Sequence, residues 1–200
     1  MAPASAAERP GGLRLTALSG LAELRLTSLA LRQLATRGIK AEAVPPATPV
    51  LAADGRTVAG FKMVPEYTAG TIDAAGRPGE GSGRAKGGVV LANDKARMEI
   101  SGIRGELPDG RVFASLKIGD RWVGELPLYR MDVTDLRLSL GASASGQPIG
   151  LRGEGIAMMP TKEGLDAFAE AFGTVLFGTG DIVFTASVRG DVYPVPAEAS

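Results

Sequence analysis

Between Val89 and Leu140 the chain is a series of short alternating runs: VVLAND, KARMEISGIRGEL, RVFASLKIG, RWVGELPLYRMDV and LRLSL. They are cut by Asn93-Asp94, Pro108-Asp109-Gly110 and Gly119-Asp120. Alternation with a period of two puts successive side chains on opposite faces of a strand, and the cutting residues are those that tight turns demand. A chain punctuated this way folds into successive antiparallel strands. The runs on either side of Pro108-Asp109-Gly110 predict a hairpin. The same punctuation extends over the whole length: 28 of the 200 residues are glycine and 13 are proline, without the period of a collagen.

Only two stretches have helical spacing. In TSLALRQLATRG, Leu31, Leu34 and Ala35 share a face, Thr27 is the cap and Gly38 the stop. In TKEGLDAFAEAF, Leu165, Phe168, Ala169 and Phe172 share a face between the Thr161 cap and Gly173. These predict short helices over 28–37 and 162–172. Aligning Thr27 with Thr161 brings Leu31 onto Leu165, Leu34 onto Phe168 and Ala35 onto Ala169. This is the pattern of an internal repeat, although capped helices share such signals by chance.

The expected architecture is mainly β: an antiparallel β-sandwich or barrel-like sheet, with the two helices capping its open edges or ends. Residues 13–194 form one domain, and residues 1–12 and 195–200 read as disordered tails. LRLTALSGLAELRL, residues 13–26, reads as one or two strands joined at Ser19-Gly20. Residues 65–88, with seven glycines, read as mostly loop, with Gly79–Gly83 mobile. Residues 141–150 read as another loop.

The composition removes several functions. There is no histidine and no cysteine, so the commonest metal ligands, the usual nucleophile–base pairs and disulfides are all missing. Twenty-two basic residues balance twenty-two acidic ones, which makes no electrostatic case for nucleic acid. No apolar run reaches the ~18 residues of a membrane span. Met1–Pro10 has neither the basic start nor the apolar stretch of a secretory signal, which predicts either a cytoplasmic protein or a signal already removed. GEGSGRAKGG lacks the lysine spacing of a nucleotide loop. No cofactor is expected.

Four residues are candidates for ligand binding. Glu66 and Tyr67 stand where a strand enters the glycine-rich stretch, a common place for a site. Trp122, the only tryptophan, starts a strand and is either a core plug or a ligand platform, the core being favoured. Tyr129 lies in ELPLYRMDV, where it shares a strand face with Met131, while Asp132 lies on the opposite face with Arg130. A Tyr129–Asp132 acid–base pair would need a bend.

The order of these pieces resembles the HtaA-like domain of actinobacterial secreted and cell-surface proteins. LRLTSLALRQLATRGIKAEAVPPA resembles its opening of strand, short helix and "G-[IV]-x-x-x-x-V-x-P-A" exit. FKMVPEYTAGTID and GRAKGGVVLANDKARMEISGI resemble its strands about a Gly-Gly pair. GELPLYRMDV resembles "V-P-L-[FY]-x-[LM]-D", with Leu126 in place of Val. TKEGLDAFAEAFGTVLFGTG resembles its helix near the C-terminus, with Pro160 where the pattern has Leu. The passages span residues 24–180. The resemblance implies a β-rich fold, an extracellular or surface setting and, in some members, haem capture. The haem part does not carry over: the family's R-H-x-G-G reads Arg84-Ala85-Lys86-Gly87-Gly88 here. Tyr67, Tyr129 and Tyr193 remain as possible iron ligands, without a supporting histidine.

The reading that follows is a non-enzymatic binding or structural module of this surface type, whose partner is a protein or a small hydrophobic ligand. The alternative is an intracellular β-barrel that binds a small molecule, or a cyclase or isomerase using Tyr, Glu or Asp. A polar lumen lined by Tyr129, Met131, Glu125 or Met98 would favour that alternative. A third possibility is a subunit whose strand edges pair between chains. The oligomeric state is open.

Overall fold

Eleven strands and two helices follow one another in the computed structural model, which describes residues 12–134, 136–142 and 147–195. They are β1 (Leu13–Leu26), α1 (Ser28–Thr36), β2 (Lys40–Val44), β3 (Thr48–Leu51), β4 (Val58–Ile72), β5 (Pro78–Ala92) and β6 (Arg97–Leu107). Then come β7 (Arg111–Ile118), β8 (Arg121–Met131), β9 (Ser139–Leu140), β10 (Ile149–Pro160), α2 (Lys162–Phe172) and β11 (Phe184–Pro194). The tails predicted at 1–12 and 195–200 lie outside the described residues except for Gly12 and Val195, and so does the middle of the loop expected at 141–150.

Neighbouring strands run β2-β5-β6-β7-β8-β10-β11-β1-β4-β3, and β4 also pairs with β5. That last pairing closes a ring from β5 through β8, β10, β11 and β1 back to β4. The hairpin expected about Pro108-Asp109-Gly110 is β6–β7. The ring is barrel-like rather than a clean barrel. β8 and β10 meet only from Met158↔Met131 to Pro160↔Tyr129. β4 and β5 pair from their turn at Ile72↔Pro78 as far as Val64↔Lys86 and then part, where β2 lines the free side of β5 and β3 that of β4.

The interior is filled by the inward face of each strand. Phe61, Met63, Leu116 and Leu128 are wholly buried, and a smaller cluster of Leu15, Ile72 and Val192 fills the far end. Burying side chains of this size stabilises by about 1.5–3 kcal/mol each, which is the main term holding such a ring together.

The two helices enter by one device used twice. The Thr27 hydroxyl accepts the Ala30 N–H and donates to the Ile182 carbonyl, while the Thr27 N–H donates to the Val183 carbonyl. The Thr161 hydroxyl accepts the Gly164 N–H and donates to the Pro127 carbonyl, while its N–H donates to the Leu128 carbonyl. Each threonine thus caps a helix and ties it to the neighbouring strand. The repeat stops there: β11 returns beside β10, whereas β2 crosses to β5. Both apolar stripes are turned slightly from the expected face. α1 buries Ala30 and Leu34 and leaves Ala35 exposed, and α2 buries Ala167 with Phe168.

Three expectations need correction. Residues 65–88 are not mostly loop. They hold the end of β4, a short turn and most of β5, and Gly79–Gly83 lies in that strand, with Gly81–Gly83 paired to β4 on one side and β6 on the other. Glycines permit this because backbones approach where side chains would stand. Gly70 and Gly81 face each other, and a Cβ on Gly70 would lie 3.1 Å from the Gly81 Cα. Second, Thr48–Leu51, which no run above predicts as a strand, forms β3, an edge strand, where Pro49 is tolerated. Third, only Ser139–Leu140 of LRLSL is strand; residues 13–26, read as one or two strands, are one, whose register slips between Ala17 and Ser19.

Candidate functional site

β8 carries two of the four candidates to opposite environments. Tyr129 pairs with Val112 and with Pro160 and points into the ring, its ring edge-on to Phe184 with centroids 5.5 Å apart. It lines a cavity of about 30 Å³ together with Leu26, Leu34, Leu128, Leu165 and Phe168. Both helices therefore close this space. Burial pushes the Tyr129 hydroxyl well above its ordinary pKa, with no charged neighbour to offset it. The Tyr129–Asp132 pair does not form. Asp132 lies beyond the end of β8, where its carboxylate accepts the Thr134 N–H at 3.0 Å, and that bond holds it below the usual carboxylate range.

Trp122 is not a core plug. It is 62% exposed, on the row of β8 that pairs with Lys117. Beside it, Arg121 reaches across to Glu170 and ties the β7–β8 turn to α2. The turn takes Trp122 out of the core, and Val123 packs inward in its place.

Glu66 and Tyr67 lie inside β4 rather than at the mouth of a loop. Glu66 forms an ion pair with Lys86 at 3.2 Å. Tyr67 is 49% exposed and stands opposite Arg84. The register continues from Arg84 to Arg104 and on to Phe113, so one cross-strand row runs over β4, β5, β6 and β7. Arg104 is its hub, a residue that sequence reasoning missed. Its guanidinium bonds to Glu125 and Glu106 and lies 4.4 Å from the centre of the Phe113 ring. The Glu125 contact is the first cause that raises its pKa. No local motif marks this cluster, because its members come from three strands.

The fold thus separates the candidates: Tyr67 on an outer row with Glu66 at the register slip beside it, Trp122 at the α2 end and Tyr129 facing inward. Nor is there a polar lumen. Met98 and Tyr129 face apolar neighbours, while Glu125 is outside with Arg104. No polar or charged residue is buried, and no group of three or more metal-ligating side chains gathers, among the described residues.

No family model matches the chain, and no curated protein does. Solved structures do. The C-terminal domain of HtaA from Corynebacterium glutamicum matches with a TM-score of 0.52 at 15% identity, over 90% of this chain and 99% of that one. The heme binding protein HtaB from the same organism matches with a TM-score of 0.55 at 9% identity, over 91% and 97%. The fold is HtaA-like. The residues present do not fit a haem. The cavity of about 30 Å³ has room for about two waters and not for a porphyrin. No histidine exists to support an iron ligand, and burial raises the pKa of the one tyrosine at the cavity.

Proposed function

We propose, starting from the HtaA-like fold, that this chain is a non-enzymatic binding module of the actinobacterial surface type. It meets its partner through its outer surface, and the partner is a protein or a small hydrophobic ligand. The observation that carries this reading is the filled interior. Catalysis inside a barrel needs room for a substrate and polar groups that converge on it. Here the space beside Tyr129 is about 30 Å³ and its lining is almost wholly apolar. The likeness to HtaB supports a binding role, although haem itself is not carried over.

Trp122 is the anchor we assign first. A large aromatic that is 62% exposed leaves apolar surface in water, and tryptophan is the residue most enriched where binding energy concentrates. Tyr67 is the second. An extracellular setting is part of the proposal. The test is retention of the labelled chain on isolated actinobacterial envelope fragments, wild type against Trp122→Ala. Retention that falls at least about tenfold in the variant is expected, a loss typical of a central aromatic contact. Absence of retention for the wild type, or equal retention for both, overturns the reading.

A further inference from the structure

Four adjacent strands, β9, β10, β11 and β1, frame an open groove of about 550 Å³ on the side of the ring away from the Tyr67 row. Its chemistry follows from the register. Arg152 of β10 stands directly opposite Arg189 of β11, with Ser139 on the far side of Arg152 and Leu21 on the far side of Arg189. The next row along the same face holds Gly150, Asp191 and Ser19. Like charges directly opposite one another in a sheet are destabilising unless something neutralises them. Arg152 is half answered, by Glu154 at 2.5 Å. Arg189 and Asp191 have no ion pair among the described residues.

The floor of the groove is backbone. Gly20 faces Gly190, Gly141 donates its N–H to the Gly150 carbonyl, and a Cβ placed on Gly150 would meet nothing within 4 Å. Glycine in a strand interior weakens the strand, and such positions mark close approach by another group. The Gly20–Gly190 pair is explained by its own backbone contact, since a Cβ on Gly20 would lie 2.7 Å from the Arg189 carbonyl oxygen. Gly150 has no such neighbour among the described residues.

We propose that this groove binds a small anionic polyol. Its carboxylate or phosphate lies between Arg189 and Arg152, and its hydroxyls lie against Asp191, Ser19 and Ser139. Guanidinium forks match planar carboxylate and phosphate oxygens, and an oxyanion between the two arginines removes their repulsion. Asp191 is an acceptor in want of donors, which the hydroxyls of a sugar supply. The groove has the size usual for small-ligand sites. The inference stands apart from the proposed surface module: Trp122 and Tyr67 take no part in it.

The test is titration of the full chain, followed by amide chemical shifts, with D-glucuronate, glucose 6-phosphate, D-glucose and inorganic phosphate. Saturable shifts at residues of the four strands are expected with both anionic sugars and not with glucose, and the tighter of the two tells carboxylate from phosphate. Arg189→Gln removes the free charge and keeps most of the stem. Gly150→Val puts side-chain bulk into the groove, its Cβ meeting no described residue within 4 Å, with a residue that suits a strand. Each is expected to weaken binding at least about tenfold, or 1.4 kcal/mol. No saturable shift with either anionic sugar overturns the site, as does wild-type affinity in both variants. Inorganic phosphate bound as tightly as both sugars overturns the polyol assignment.

Discussion

Phe168→Ala tests the packing of α2 on the open end of the ring. Phe168 is 6% exposed, with ring centroids 4.8 Å from Phe172 and 6.1 Å from Phe177. Losing a buried phenyl forfeits up to about 3 kcal/mol of transfer free energy, and a cavity adds to that. The surroundings show that the site does not close up. A void of about 30 Å³ already persists beside Phe168, and at ~24 cal/mol per Å³ it already costs about 0.7 kcal/mol. The truncation enlarges this void instead of collapsing it, so a loss of about 4 kcal/mol is expected, in the upper half of the usual range. For a chain of 200 residues that lowers Tm by about 8–16 °C. Glu170→Ala, on the wet face of the same helix, removes only the exposed contact with Arg121 and is expected to cost less than ~1 kcal/mol. Urea melts of both variants measure the difference. Equal losses, or a Phe168→Ala cost below ~1 kcal/mol, would mean that α2 does not seal the ring by this face.

Gly164→Ala is expected to destabilise, although alanine is the better helix former by about 1 kcal/mol, because the new Cβ stands against the Leu128 carbonyl. A thermal melt gives the sign, and a stabilised variant refutes the close approach of α2 to β8. Tyr129 links stability to alkaline pH. Its folded pKa is raised above the unfolded value of about 10, so the unfolded chain loses this proton first. Its contribution is whole below about pH 10 and falls as pH rises above that; Tyr129→Phe, measured by denaturant melts across this range, should lack that part of the alkaline loss. Hemin is expected to give no saturable shift of the Soret band with this chain, and a shift saturating at micromolar hemin would show that α2 and Tyr129 rearrange to admit a porphyrin.

Much of the fold was legible because it is written in local patterns. The β6–β7 hairpin follows from two alternating runs about Pro108-Asp109-Gly110, and both helices follow from a threonine cap and apolar spacing. The absence of histidine and cysteine bounds the chemistry through composition alone. Alternation also placed Tyr129 and Met131 on the same face, which proved to be the inner one. The glycine-rich stretch failed for a physical reason: alternation is a signal carried by side chains, and of the strand Pro78–Ala92 only Val89–Ala92 shows it, because Gly79, Gly81, Gly83, Gly87 and Gly88 interrupt the rest.

The sequence by itself therefore determined the mainly antiparallel β character, the β6–β7 hairpin, both helices and the chemistry that histidine and cysteine would have supplied, but not the strands built on glycine. The tertiary structure alone decided that β4 pairs with β5 to close a ring, that Trp122 faces water while Tyr129 is enclosed, and that Arg104 gathers Glu106, Glu125 and Phe113. It alone set Arg152 against Arg189 across two strands that are distant in the chain. Each of these depends on which residues stand opposite one another, and register between distant strands is chosen by the packing of the whole ring rather than by any local run of residues.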